Sequence, residues 1–143
     1  MKYLTTLATL LAFLSTAANA QTATTLAVLR SDFAELTDLR NSTAQTLAAT
    51  PFASDLRRQL ALRQAATHIT TASDHLTAAA QKIAACADAL AAYDFARTRN
   101  PPLAAQIADV YDQLHTSAGE SLDAAQTELL AAEAILTTLN PLP

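Results

Sequence analysis

Residues 69–93 read ITTASDHLTAAAQKIAACADALAAY and carry the clearest repeat in the chain. Four large apolar residues stand seven positions apart in this stretch: Ile69, Leu76, Ile83 and Leu90. Each is followed three residues later by a second member of the repeat: Ala72, Ala79, Cys86 and Tyr93. Alternating spacings of three and four place all eight residues on one face of an α-helix. We therefore expect a long amphipathic helix that buries this face against other helices.

The composition of the 143-residue chain extends the helical prediction to the rest of the sequence. The chain contains 35 Ala and 23 Leu, which favour helices, but only six Val and Ile residues together, which favour strands. Its single Gly and single Cys exclude glycine-rich phosphate loops and an internal disulfide framework. The predicted fold class is all-α.

Prolines divide the chain into helical segments. Thr50-Pro51, Asn100-Pro101-Pro102 and Asn140-Pro141 bound segments of about 24–49, 53–97 and 102–139. We expect an antiparallel up-down bundle of three long helices. We also expect breaks that give four or five pieces, at 70–74, which is rich in capping residues, and at 116–120, which contains Gly119.

The third segment contains an irregularity in its heptad repeat. Leu114, Ala118 and Leu122 are separated by two successive steps of four residues, where the repeat alternates between three and four. Such a step is a stutter, which locally changes how one helix winds around another. The stutter coincides with the break that we expect at 116–120.

The first twenty residues have the organisation of a secretory signal peptide. Lys2 is followed by an apolar stretch from Leu4 to Leu14, and Ala18-Asn19-Ala20 forms an A-x-A cleavage site. The alternative is that this stretch is a genuine first helix of the domain. With the signal peptide at 1–20, residues 21–143 form one helical domain, which is predicted to be secreted, extracellular or in the cell wall, and without a transmembrane segment.

The charge of the chain excludes one class of partner and predicts a helix pairing. The formal net charge is −4, and no basic stripe is present, so a nucleic-acid partner is not expected. The acidic end of the third segment is predicted to lie beside the basic start of the second, with Glu120, Asp123, Glu128 and Glu133 near Arg57, Arg58 and Arg63. A solvated charged face is the alternative.

No residues have the spacing of a catalytic or metal-binding set. His68 and His75 are seven residues apart, roughly 10.5 Å along a helix, which is too far to share a metal ion. Cys86 lies on the apolar face and is predicted to be a buried thiol, with a reactive thiol or an intermolecular disulfide as alternatives. We expect a protein that is not an enzyme and has no catalytic residues, metal or cofactor.

The apolar faces supply the candidate binding residues. They either close into a dry core or leave a groove that suits an apolar ligand. The candidates for lining such a groove are Phe33, Leu36, Ile69, Leu76, Ile83, Leu90, Tyr93, Ile107, Val110, Tyr111 and Leu114. Tyr93, Tyr111, Arg97 and Arg99 are candidates for a polar anchor at its mouth. Asn41-Ser42-Thr43 is an N-glycosylation sequon, which makes Asn41 a glycosylation candidate, although an unused tripeptide is as plausible.

The whole predicted mature chain resembles the fungal secreted family of hydrophobic surface-binding protein A and the cell-wall galactomannoproteins. The likeness is carried by the signal peptide, by the aromatic-poor, Ala- and Thr-rich helical composition, and by the segments LTAAAQKI (76–83) and IADVYDQL (107–114). This resemblance implies a helical bundle that binds hydrophobic surfaces or fatty-acid-like lipids at the wall or outside the cell.

The sequence therefore leaves two alternative functions. The first is a secreted, non-enzymatic protein whose amphipathic helices bind an apolar small molecule or a hydrophobic surface. The second is a secreted protein-interaction module or effector with a closed helical core and a protein partner. Stoichiometric uptake of a fatty acid by the delipidated protein favours the first, and capture of a specific protein together with the absence of an apolar cavity favours the second.

Overall fold

The computed structural model describes the backbone of residues 2–51 and 55–140, and the side chains of residues 24–51 and 55–140. It contains three α-helices: α1 (Lys2–Ala49), α2 (Leu56–Ala96) and α3 (Pro101–Leu139). No strand occurs in these backbone ranges, which confirms the all-α prediction. The predicted signal peptide falls within α1, and its side chains lie outside the described range, so its removal remains a prediction.

The helices end close to the residues that the breakers predict, but α1 begins at Lys2 instead of near residue 24, because its backbone continues through the predicted signal peptide, and α2 begins at Leu56 instead of near residue 53. The Asp55 side chain accepts a hydrogen bond from the Arg57 backbone N–H over 3.1 Å and caps α2. The Asn100 side chain accepts one from the Leu103 N–H over 3.2 Å, and prolines occupy the first two positions of α3. Both caps satisfy backbone donors that the first helical turn leaves free.

Hydrogen bonds between helices define an up-down-up topology. Thr25 on α1 lies 3.3 Å from Tyr111 on α3, and Thr50 accepts from the Asn140 amide over 2.8 Å, so α1 and α3 run parallel. Along α2, His68 meets Glu128 and the later Lys82 meets the earlier Ser117, so α2 and α3 run antiparallel. The most extensive interface is between α2 and α3.

The interface between α2 and α3 is built on small residues at heptad spacing. Its buried alanines recur every seven residues: Ala65, Ala72 and Ala79 on α2, and Ala118, Ala125 and Ala132 on α3. Small side chains at these positions let the two helix axes approach closely. Larger side chains fill the intervening layers of both helices: Ile69, Leu76, Ile83, Leu122, Leu129 and Leu136. The predicted apolar face of residues 69–93 is therefore the buried face from Ile69 to Cys86.

The prediction that the long helices break is wrong, because the hydroxyl side chains bond within the helix. Thr70 donates to the Ala66 carbonyl over 3.0 Å, Thr71 to the Thr67 carbonyl over 3.1 Å, and Ser73 to the Ile69 carbonyl over 2.8 Å. These bonds to the preceding turn satisfy the hydroxyls without interrupting the backbone ladder. Gly119 has a negative φ and continues α3, so the bundle has three pieces.

The stutter in α3 is present in the buried residues. Tyr111 and Ala118 are buried upstream of it, and Leu122, Ala125 and Leu129 continue downstream in the shifted repeat. Ser121 is also buried here, beside Leu122. The Lys82 ammonium donates to the Ser117 carbonyl over 2.9 Å and to the Ser121 hydroxyl over 2.8 Å. A cation from α2 thus occupies the position where the apolar repeat of α3 changes register.

Candidate functional site

Four of the predicted groove-lining residues lie in the closed core. Ile69, Leu76, Ile83 and Tyr111 are buried. Three of these, all but Ile69, belong to a continuous apolar cluster that also includes Leu26 and Leu29 of α1. In this arrangement their side chains contact other core side chains. A contact between them and a ligand remains a prediction, and it requires the helices to separate.

The other predicted groove-lining residues are less buried and occupy the edge of the core. Phe33, Leu36, Leu90 and Leu114 are partly buried and pack against the central cluster. Tyr93 and Ile107 are half-buried, and Val110 is exposed. The candidates with free apolar surface are therefore concentrated on α2 and α3 toward the turn that joins these two helices.

The turn between α2 and α3 is tightly hydrogen-bonded. The Arg97 N–H donates to Tyr93, and the N–H groups of Arg99 and Asn100 both donate to the Ala96 carbonyl, over 3.0 Å and 2.7 Å. The Asn100 side chain and carbonyl then accept from the first free donors of α3. Pro101 and Pro102 have no N–H. Backbone bonding therefore fixes the position of this turn at one end of the bundle.

The side chains of this turn combine apolar and cationic groups. Phe95 is 63% exposed and Leu103 is 44% exposed, on either side of the exposed Arg97 and Arg99. The Arg99 guanidinium lies 4.0 Å from the centre of the Phe95 ring, a cation–π geometry. We call residues 95–103 the turn tip.

The predicted polar anchor is only partly assembled at the turn tip. Arg97 and Arg99 lie within it, and Arg97 forms an ion pair of 3.6 Å with Asp94. Tyr111 lies eight residues, roughly 12 Å, beyond the tip along α3, where its hydroxyl is 3.3 Å from that of Thr25. Its ring stacks on His115 with 5.9 Å between ring centres. Tyr111 thus contributes to the α1–α3 interface, away from the arginines.

The clearest ionisable pair is one that the residue pattern did not single out. His68 Nδ1 on α2 lies 2.6 Å from Glu128 Oε2 on α3, and both side chains are partly exposed. Glu128 had been predicted to lie near arginines of α2. In the described side chains, Arg58 instead donates to the Asn140 amide oxygen over 3.4 Å, and neither Arg57 nor Arg63 pairs with a carboxylate. The acidic end of α3 lies beside the start of α2, as predicted, but the residues that pair between the two helices are not the predicted ones.

Cys86 is buried within the α2 repeat, at the position that follows Ala65, Ala72 and Ala79. The thiol is free, and burial raises its pKa because desolvation disfavours the charged thiolate. A reactive cysteine needs exposure and a lowered pKa. The environment of Cys86 is that of a structural thiol, as predicted.

Asn41 is exposed on α1, within the helix rather than in a loop. Its side-chain oxygen accepts a hydrogen bond from Arg40 over 3.0 Å. A glycan attached to Asn41 would extend into solvent without entering the core. Glycosylation of Asn41 itself remains a prediction.

An open groove of about 460 Å³ runs between α1 and α3 at the end of the bundle opposite the turn tip. It is lined by Thr43, Thr46, Glu133, Leu136, Thr137 and Asn140, of which only Leu136 has a wholly apolar side chain. The Thr43 and Thr46 hydroxyls bond to backbone carbonyls of α1, and the Asn140 amide bonds to Thr50. None of the predicted groove-lining residues lies in this groove.

Among the described residues, no group of three or more His, Cys, Asp or Glu side chains is arranged to hold a metal ion. No described helix has an apolar stretch long enough to cross a membrane.

Comparisons with known proteins return no family model, no curated protein and no solved structure that matches this chain.

Proposed function

We propose that this chain is a secreted, non-enzymatic protein that binds apolar material at its surface. The observation that carries the proposal is that Phe95 and Leu103 remain exposed at the same turn of a bundle whose core is already filled. Neighbouring exposed apolar side chains mark surfaces that bind other molecules or lipid, whereas apolar side chains exposed singly are common on any protein. The other exposed large apolar side chains lie elsewhere on the helices: Val28, Leu56, Leu60, Val110 and Leu130.

The state of the core favours binding at the surface over enclosure of a ligand. Leu129 and Cys86 are fully buried, and the alanines between α2 and α3 hold the two helices close together. An acyl chain in the middle of the bundle would have to displace these contacts. Adsorption to a hydrophobic surface, or binding of a lipid against the outside of the helices, requires no such opening.

Removal of the predicted signal peptide would increase the apolar surface near the turn tip. Because Thr25 lies beside Tyr111 and the two helices run parallel, Gln21 stands roughly level with Ile107. A chain that starts at Gln21 has no α1 segment alongside the first turns of α3. Leu103 and Ile107 would then belong to a two-helix hairpin that projects beyond α1.

A second proposed function, a secreted module or effector that binds a protein partner, is favoured by the same filled core. The two proposals differ in what the exposed side chains contact. Apolar material can bind the turn tip without a surface that matches the tip in shape. A protein partner requires a face whose shape and polar groups are complementary to this chain.

The test combines adsorption and titration of the purified protein. We expect it to deplete from solution onto uncharged alkyl-coated beads, and to raise the fluorescence of an environment-sensitive fatty acid. Depletion without saturable fatty-acid binding supports surface adsorption, and stoichiometric binding supports an internal site. The proposal is overturned if the protein neither adsorbs to the beads nor takes up the fatty acid; capture of one specific protein would then support the interaction module.

A further inference from the structure

We propose that the turn tip, residues 95–103, binds the surface of a bilayer that carries anionic lipid headgroups. This inference rests on the proposed function, because it assigns the binding of apolar material to one end of the bundle and to one kind of apolar surface. It is carried by three observations: the exposed apolar side chains of the tip, its positive charge, and its internally bonded backbone.

The apolar side chains of the tip stand where an end-on approach would bring them into the membrane interface. Phe95 lies two residues before Arg97, and Leu103 lies three residues after Asn100, so both flank the turn, which is the end of the bundle in a chain that begins at Gln21. Both are exposed, as are Pro101 and Pro102 between them. An aromatic and an aliphatic side chain beside arginines are the usual components of a surface that lies in the headgroup region of a bilayer.

Charge selects an anionic surface over a neutral one. Residues 95–103 contain Arg97 and Arg99 and no acidic residue, in a chain whose net charge is −4. The nearest carboxylates are Asp94, which pairs with Arg97, and Asp109, two turns into α3. The ion pair between Asp94 and Arg97 is exposed to solvent, so it binds Arg97 only weakly. Attraction to an anionic bilayer is therefore local to the tip, because the rest of the protein is repelled.

Most backbone donors of the tip are bonded within the protein. The N–H groups of Arg97, Arg99, Asn100 and Ala104 donate to backbone carbonyls, and that of Leu103 donates to the Asn100 side chain. Pro101 and Pro102 have no N–H to satisfy. A bonded donor loses no hydrogen bond to water on entering the interface, so within residues 97–103 this cost is confined to the N–H of Thr98.

The first experiment measures co-sedimentation of the purified protein with vesicles of phosphatidylcholine alone or mixed with phosphatidylglycerol. We expect binding to the mixed vesicles that weakens as salt is added. Each arginine near an anionic surface contributes roughly fivefold to affinity, so R97Q/R99Q lowers binding about 25-fold. The matched control is R30Q/R63Q, which removes the same charge from exposed positions away from the tip. D94N raises affinity, because it frees Arg97.

The second experiment uses the absence of tryptophan from the chain. F95W places a single tryptophan at the tip, and L130W places one at a comparably exposed position in the C-terminal part of α3, far from the tip. With phosphatidylglycerol vesicles we expect the emission of F95W to shift to shorter wavelength and that of L130W to stay constant. Circular dichroism of each variant shows that the helices are intact, so loss of binding is separated from loss of folding.

The outcomes distinguish the tip from the broader proposal. Equal loss of binding in R97Q/R99Q and R30Q/R63Q, or a blue shift in L130W without one in F95W, overturns the assignment to the tip. Adsorption to uncharged alkyl beads without binding to either vesicle also overturns it, but leaves the proposed function standing. Absence of binding to beads, fatty acid and vesicles overturns both.

Discussion

The Nζ atom of Lys82 on α2 lies 2.8 Å from the Oγ atom of Ser121 on α3, at the stutter in the α3 heptad repeat. The same ammonium bonds to the Ser117 carbonyl, and Ser121 donates to that carbonyl over 3.1 Å. These three groups form a polar contact beside the buried Ala, Leu and Ile side chains of the α2–α3 interface, which His68 and Glu128 also bridge. They fix the axial position of α2 against α3, because a shift of either helix along the interface breaks all the bonds to Lys82.

Removing the Lys82 ammonium should destabilise the bundle modestly. Lys82→Met keeps the length of the side chain and removes its bonds to Ser117 and Ser121. Because Lys82 is partly exposed, we expect a loss of about 1 kcal/mol in the free energy of unfolding, measured by urea denaturation. Gln81→Met, at the exposed neighbouring position, is the control and should change it by less than about 0.5 kcal/mol. Equal effects of the two substitutions would contradict the assigned role of Lys82.

Leu129 and Leu130 offer a test of the closed core at adjacent positions. Leu129 is 0% exposed and Leu130 is 53% exposed. Leu129→Ala leaves a cavity between α2 and α3 and should lower the free energy of unfolding by roughly 2–5 kcal/mol. Leu130→Ala should change it by about 0.5 kcal/mol or less. Similar losses at both positions would mean that the two faces of α3 are assigned incorrectly.

Gly119→Ala should stabilise the protein. Gly119 lies in the interior of α3 with a negative φ, and a Cβ built on it meets no atom within 4 Å. Alanine restricts the unfolded chain and favours the helix, so thermal and urea unfolding should show a gain of roughly 0.5–1 kcal/mol. A loss of stability would indicate that the helix breaks at Gly119, as the sequence suggested.

The raised pKa of Cys86 predicts how its contribution to stability depends on pH. The folded state holds the thiol proton more tightly than the unfolded chain does, so the contribution is complete below about pH 8.5 and is lost as the pH rises toward the higher folded pKa. Cys86→Ala should cost roughly 1 kcal/mol at neutral pH, since the same repeat already holds alanines. Above pH 8.5, the difference in the free energy of unfolding between the wild type and Cys86→Ala should narrow.

A thiol reagent provides an independent measurement at Cys86. We expect slow modification of the folded protein at pH 8 and rapid modification in denaturant, because the sulfur is inaccessible in the bundle. Fast modification of the folded protein would contradict the burial of Cys86 and would favour the alternative of a reactive thiol.

The sequence was sufficient for the fold class, the ends of the helices at the prolines and the buried face of α2, but not for the start of α1 at Lys2. Local signals determine these features: prolines and capping residues stop helices, and a seven-residue repeat of Ile, Leu and Ala defines a face. The stutter at Ala118 was also visible, because it depends only on spacing along one helix.

Features that depend on the relative position of two helices could not be predicted in the same way. The pairing of His68 with Glu128 requires a particular axial offset between α2 and α3, and the sequence indicated only that they run antiparallel. Likewise, Thr70 and Ser73 have similar propensities for capping and for bonding to the preceding turn. The continuous packing of α2 against α3 favours the uninterrupted helix.

The most direct test of the central claim is the adsorption of the protein to an uncharged alkyl monolayer on a quartz crystal microbalance. We expect the wild type to adsorb, L130S to adsorb nearly as well, and F95S/L103S to lose roughly tenfold in affinity while its helical circular dichroism is retained. If the wild type does not adsorb, or if F95S/L103S adsorbs as strongly as L130S, binding of apolar material at the turn tip is contradicted.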